Sequence, residues 1–214
     1  MKLWQKNTDS NKAVENFTVG NDPAFDLMLA PFDVLGNIAH AKMLSSVGLI
    51  SQAEADALCA ELKNIYAQTK KGLFGIEKGV EDVHSQVEYM LTQKLGDTGK
   101  KIHAARSRND QVLLDIKLFL RQQLQQLVLT THEFFNLLQQ KSEQYKNHLM
   151  PGYTHLQLAM PSSFGLWFGA YAESLIDDII TMQAAYEVVN KNPLGSGAGY
   201  GSSFPINRQM TTEL

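Results

Sequence analysis

The stretch SRNDQVLLDIKLFLRQQLQQLVLTTHEFFNLLQQKSEQYKNH, Ser107 to His148, decides the fold. It contains no glycine and no proline. Leu113, Ile116, Leu120, Leu124, Leu127, Phe134, Leu138 and Tyr145 recur every three or four positions, the period of one helix face. About 40 residues at roughly 1.5 Å each make a helix near 60 Å long. That exceeds the diameter of a globule this size, so the helix needs partners along its length. They are other helices of this chain or the same helix of other subunits. Gln122, Gln123, Gln125, Gln126, Gln139 and Gln140 add polar positions without charge repulsion.

On the C-terminal side, Pro151-Gly152 predicts a turn. A second apolar helix is expected from Pro161 to about Val189, with Gly165, Gly169 and Ala170 permitting close helix approach. A Gly-, Ser- and Asn-rich loop follows from Asn192 to Ser203, and Thr211-Thr212-Glu213-Leu214 resembles the start of a further helix. On the N-terminal side, Asn21-Asp22-Pro23 reads as a helix start. Pro31 and Gly36 divide the segment up to Val47 into two expected helical pieces. Ser51-Gln52-Ala53-Glu54 is a capping box. Its helix carries Ala55, Leu58, Leu62, Ile65 and Tyr66 on one face and stops at Lys70-Lys71-Gly72. Glu81 to Leu95 is another amphipathic segment, with Val83, Val87, Met90 and Leu91 aligned and Gly96-Asp97-Thr98-Gly99 as its break. Period-two strand signals are almost absent. The expected class is all-α.

Composition narrows the function. The 214 residues are 44% hydrophobic and 19% charged, a globular balance. Nineteen basic against 22 acidic residues give a net charge of −3, which weighs against a nucleic-acid partner. The single cysteine, Cys59, excludes an internal disulfide framework and a multi-cysteine metal site, and fits a reducing compartment. No signal-peptide run opens the chain, and no 18-residue apolar run predicts a membrane span. Asn16-Phe17-Thr18 matches a glycosylation acceptor, discounted without a secretory signal.

Three polar runs could carry chemistry. Arg106-Ser107-Arg108-Asn109-Asp110-Gln111 sits at the start of the long helix. Free N–H groups there attract anions, and arginines can grip carboxylates in bidentate fashion. The plainer alternative is a helix cap, with Ser107 or Asn109 as N-cap and solvated arginines. Gly152-Tyr153-Thr154-His155-Leu156-Gln157 lies between the two long helices. Thr154 and Gln157 could bind a substrate, and an imidazole such as His155 moves protons near neutral pH; a turn histidine with satisfied hydrogen bonds is the alternative. Glu81-Asp82-Val83-His84 offers carboxylates and an imidazole. Asp82 and His84 share a helix face poorly, so an acidic helix start is favoured over a metal site. His40, His103, His132 and His148 share no ligand spacing, and no metal is expected. Gly195-Ser196-Gly197-Ala198-Gly199-Tyr200-Gly201 is not a G-x-G-x-x-G pattern and follows no strand. Dinucleotide binding is rejected; a tight turn or a close ligand approach remains.

Together these runs resemble the argininosuccinate lyases of the fumarase/aspartase superfamily. The resemblance spans the whole chain: Lys2-Leu3-Trp4 at the start, Glu81-Asp82-Val83-His84, Ala105-Arg106-Ser107-Arg108-Asn109-Asp110-Gln111-Val112, Pro151-Gly152-Tyr153-Thr154-His155-Leu156-Gln157, and Pro193-Leu194-Gly195-Ser196-Gly197-Ala198. It implies β-elimination of argininosuccinate to arginine and fumarate without metal or organic cofactor, in the cytoplasm. By resemblance, His155 takes a proton-transfer role, directly or paired with a serine of another loop. Asn109 and Thr154 bind substrate, Ser107 and Arg108 lie near its carboxylates, Gln157 completes the set, and Asp82 and His84 belong to a closing loop. The family's assembly is a homotetramer around long helices, with each active site drawn from several subunits. The resemblance implies an N-terminal helical domain over residues 1–105 and the first part of a central bundle over 106–214. The family's catalytic serine loop has no counterpart here, so a fragment, inactive alone, is expected. Leu158-Ala159-Met160-Pro161, Ala104 and Gly20-Asn21-Asp22 depart from family patterns. The rival readings are another fumarate-releasing lyase and a non-enzymatic, crystallin-like scaffold.

Overall fold

The computed structural model describes Phe17 and residues 20–214. The Lys2-Leu3-Trp4 opening, with Asn16 and Thr18 of the acceptor sequon, lies outside them. The fold is all-α with one hairpin: α1 (Asp22–Ser46), α2 (Gln52–Lys70), α3 (Val83–Leu95), α4 (Asp97–Lys100), a 3-10 turn (Lys101–His103), α5 (Arg108–Gln144), β1 (Leu149–Thr154), β2 (Gln157–Ser163), α6 (Phe164–Val189) and α7 (Arg208–Glu213). Two compact units form. One joins the described residues up to Phe119 with Lys191–Leu214; the other is Leu120–Asn190.

The first unit has a closed core. Val34, Ala41, Met43 and Leu44 of α1, Ala55, Leu58, Leu62 and Ile65 of α2, and Val87 and Leu91 of α3 pack with Ile50 and Ile102. The α2 and α3 stripes therefore face inward as their spacing predicts. Ser51 forms the full capping box with Glu54. Where two helical pieces were expected, α1 is a single helix of 25 residues with Pro31 inside. A helix-interior proline costs about 3 kcal/mol, and the buried side chains on both sides of Pro31 outweigh that. Gly36 continues the helix because its missing side chain admits α5: a Cβ there would lie 2.8 Å from Leu114 Cδ2.

The second unit is an antiparallel helix pair. Arg121 Nη1 donates to Asn190 Oδ1 at 3.1 Å, Gln125 Nε2 to Tyr186 Oη at 3.3 Å and Ser142 Oγ to the Gly165 carbonyl at 2.8 Å. The close approach expected at Gly165 is present: a Cβ there would sit 2.6 Å from Lys146 Cα. Between the helices, where a simple turn was expected, β1 and β2 pair antiparallel from Leu149↔Ser163 to Thr154↔Gln157, with an irregularity between Pro151 and Tyr153. Pro151 and Pro161 face each other, which a ladder tolerates when both strands are edges.

Candidate active site

The α5 N-terminus is assembled from long-range contacts. Ser107 Oγ accepts from the Asn109 amide and from Asn109 Nδ2, both at 3.2 Å. The Ser107 amide donates to Asp110 Oδ1 at 3.0 Å. Buried Asp110 then accepts from the amides of Gly195 at 2.9 Å and Gly197 at 2.8 Å through Oδ2. The glycine-rich loop is thus a set of backbone donors folded onto the helix start. Gly195 and Gly197 have positive φ, 95° and 59°, which turns their N–H groups toward Asp110. Arg108 is engaged within the unit: Nη2 pairs with Glu88 Oε2 and Nη1 donates to Gln111 Oε1, both at 2.9 Å. Asn109 is exposed.

Asp82 is the N-cap of α3 and accepts from the Ser85 amide at 2.7 Å. His84 points the other way, into the unit, and is 3% exposed. Its Nδ1 lies 3.0 Å from Asp33 Oδ1 and 3.4 Å from Asp115 Oδ2. Gln111 Nε2 donates to Asp33 Oδ1 at 2.5 Å and Asn37 Nδ2 to Asp33 Oδ2 at 2.9 Å. Arg106 donates to Asn37 Oδ1, and His40 Nε2 to the Ala104 carbonyl at 2.8 Å. Ala105 completes the turn at φ 61°. This buried polar cluster locks α1, α3 and the α5 entry together, and so fixes the Asp82 and Arg106–Gln111 segments.

Its electrostatics follow from burial. Burial pushes His40 down to about 3, with Arg106 adding to the effect. Burial also lowers Arg106 to about 10. Burial alone would raise Asp33, but the hydrogen bond and charge of His84, then Arg106 and Gln111, outweigh it and hold the carboxyl below its ordinary value. Asp115 goes the opposite way, raised well above the usual carboxylate range by burial and then by Asp33. Asp33, His84 and Asp115 place potential ligand atoms within 4.8 Å of one another. The donor set suits a cation poorly: Asn37 and Gln111 already occupy Asp33, and the Arg106 charge acts on both carboxylates.

Thr154, His155 and Gln157 belong to the second unit and are exposed at the hairpin tip. His155 and Leu156 form its two-residue loop with φ of 51° and 64°, the pattern of a type I′ turn. Left-handed backbone costs an L-residue about 1–2 kcal/mol. Histidine enters that region more readily than most side chains, whereas Leu156 is held there against local preference. Of the expected site residues, Asp82, His84, Ser107, Arg108 and Asn109 lie in the first unit, and Thr154, His155 and Gln157 in the second. Asp33, Asn37 and Asp115 were not singled out from sequence, and Gln111 stood there only as the end of the Arg106–Gln111 run. Polar side chains at 33, 37 and 40 repeat at helical spacing within the apolar α1, which is the signal that marks them.

A long-helix protein with an anion-suited helix start and an exposed histidine hairpin defines a class; relatives narrow it. A family model described as Lyase matches residues 2–214, and the chain belongs to that family. It is 63% identical over 213 residues to "Argininosuccinate lyase" of Bacteroides fragilis, covering 100% of this chain and 48% of that protein. It is 37% identical over 212 residues to "Argininosuccinate lyase" of Thermotoga neapolitana, covering 99% of this chain and 53% of that protein. The chain thus spans about half the length of the curated relatives it matches. Among solved structures, "EDDS lyase variant D290M/Y320M with bound fumarate" aligns with a TM-score of 0.77 at 24% identity, over 87% of this chain and 36% of that one, which shows a shared fold. No helix among the described residues is long and apolar enough to cross a membrane.

Proposed function

We propose that this chain forms the N-terminal part of an argininosuccinate lyase, which eliminates arginine from argininosuccinate and releases fumarate. The observation that carries the reading is the 63% identity to an argininosuccinate lyase over the whole chain. In the reaction a base takes the proton beside a carboxylate, the carbon–nitrogen bond breaks, and the leaving guanidinium nitrogen receives a proton. The intermediate is a dianion, and fixed donors must meet its charge. The positive end of the α5 dipole suits a carboxylate, with Ser107, Arg108 and Asn109 beside it. His155 serves proton transfer, Thr154 and Gln157 bind substrate from the hairpin tip, and Asp82 stands at the fixed start of α3 that inward-turned His84 anchors.

The same reading includes a cytoplasmic homotetramer in which neighbouring copies complete each site. It is supported by the tip itself, where Leu156, held in costly backbone geometry, is 98% exposed beside His155. The test is a chimera joining residues 1–214 to the remaining C-terminal part of the Bacteroides fragilis relative, assayed for fumarate release. Release from argininosuccinate, and its loss by at least about a hundredfold in His155→Asn, is the expected result. A folded chimera releasing fumarate only from a different amino-acid adduct would replace the substrate. One releasing none from any substrate would leave the scaffold reading.

A further inference from the structure

Asp115 has no place in the proposed chemistry, yet it is 0% exposed and neither carboxylate oxygen has a hydrogen-bond partner. A buried ionised carboxylate without donors is among the costliest arrangements a fold can hold. A second carboxylate, Asp33, lies in the same cluster, within 4.8 Å. The one imidazole between them has its Nδ1 nearer Asp33, at 3.0 Å, than Asp115, at 3.4 Å. The cationic Arg106 head is directed to Asn37.

We propose that Asp115 is a positioning residue kept as a neutral carboxylic acid, whose proton lets two buried aspartates share one histidine and so fixes the start of α3. As a neutral acid it no longer needs a donor on each oxygen, and the cluster's donors, Gln111 Nε2, Asn37 Nδ2 and His84 Nδ1, stay on Asp33. It also spares the cluster a second negative charge beside Asp33, the carboxylate that His84 and Arg106 already hold ionised. The charged and titratable groups acting on it are Asp26 and Asp33 of α1, Arg106 before α5 and Arg108 within it, with His84 of α3 in contact. Burial and Asp33 raise its pKa well above the usual carboxylate range, in the direction the geometry requires. The consequence for catalysis rests on the lyase reading, because the segment held is Asp82–His84; the protonation state itself does not.

Carboxyl ¹³C NMR of the 214-residue chain reads that state without substrate, the Asp115 signal being assigned by its loss in Asp115→Asn. At about pH 6, two units above the ordinary aspartate value of about 3.9, the Asp115 carboxyl should still show the protonated shift. A signal that titrates together with the exposed aspartates would overturn the proposal. Amide exchange at Ser85, whose N–H caps α3 on Asp82, reads the positioning. Asp115→Asn keeps a neutral hydrogen-bonding group and should stay within about twofold of wild type, while Asp115→Ala should exchange at least about tenfold faster. If Asn accelerates exchange as much as Ala, the ionised form was needed and the proposal fails; if neither changes it, Asp115 positions nothing. A proton held more tightly in the folded than in the unfolded chain stabilises fully below about pH 4, and that contribution disappears as pH rises through the folded value. Asp115→Asn should therefore gain stability on wild type as pH rises from about 4 to 8, and a constant difference would contradict the proposal.

Discussion

The first unit encloses a buried apolar core, and the second leaves most of its apolar side chains in the open. Leu44, Leu58, Leu62 and Ile65 are 0% exposed in the first. In the second, Leu127 is 49%, Phe134 51%, Leu166 69% and Ile180 60% exposed, and Leu138 and Ala172 are its buried apolar side chains among the described residues. Both regions carry the amphipathic pattern of a packed helix. The difference is geometric: three helices and a turn enclose a core, whereas two long antiparallel helices cover only one stripe of each other. Exposed apolar helix faces of this extent mark an interaction surface. The region with its own core also holds the buried polar cluster, and the uncovered region holds the exposed His155.

The largest effect that sharpens this contrast is pH. Burial holds the His40 pKa at about 3 in the fold, whereas in the unfolded chain an imidazole takes a proton at about pH 6.5. Its folded value is depressed, so its contribution is present above about 6.5 and lost as pH falls toward the folded value, by up to about 5 kcal/mol. Denaturant unfolding of the first unit across that window should show the loss, and His40→Gln should flatten it. A profile unchanged by the substitution would assign the acid sensitivity elsewhere.

Next in size is core truncation. Leu62→Ala should destabilise the first unit by about 3 kcal/mol. Leu127→Ala in the second should cost under about 0.5 kcal/mol in dilute chain. Equal losses by chemical denaturation would erase the distinction between the units. Smaller still is Gly36→Ala. Helix propensity favours alanine by about 1 kcal/mol, but the new methyl meets Leu114 and approaches Asp115 Oδ1 to 3.8 Å. Overpacking costs about 1–3 kcal/mol, so a net loss of about 1 kcal/mol is expected; a gain would mean that Leu114 moves aside freely.

What sequence made legible was local. The Ser51–Glu54 box, the α2 and α3 stripes, the Gly165 contact and the uninterrupted long helix all follow from spacing and cap chemistry within a few residues. Pro31 and Gly36 misled because tertiary burial overrides a helix break that local rules predict. The hairpin escaped because its prolines and Gly152 read as breakers, while its pairing depends on a left-handed turn that His155 and Leu156 do not advertise. The polar cluster escaped for a different reason: His84 and Gln111 reach Asp33 across 51 and 78 residues of chain, beyond any periodicity. The motif runs identified the Asp82–His84 and Arg106–Gln111 segments, but not that His84 turns inward while Asp82 caps.

The contrast between the units is tested most directly by hydrogen exchange of the 214-residue chain at low and high protein concentration. Protection within residues 120–190 should rise with concentration as the bare helix faces become covered, while protection in the α1–α3 core stays constant. Equal, concentration-independent protection in both units would contradict an assembly role for the second.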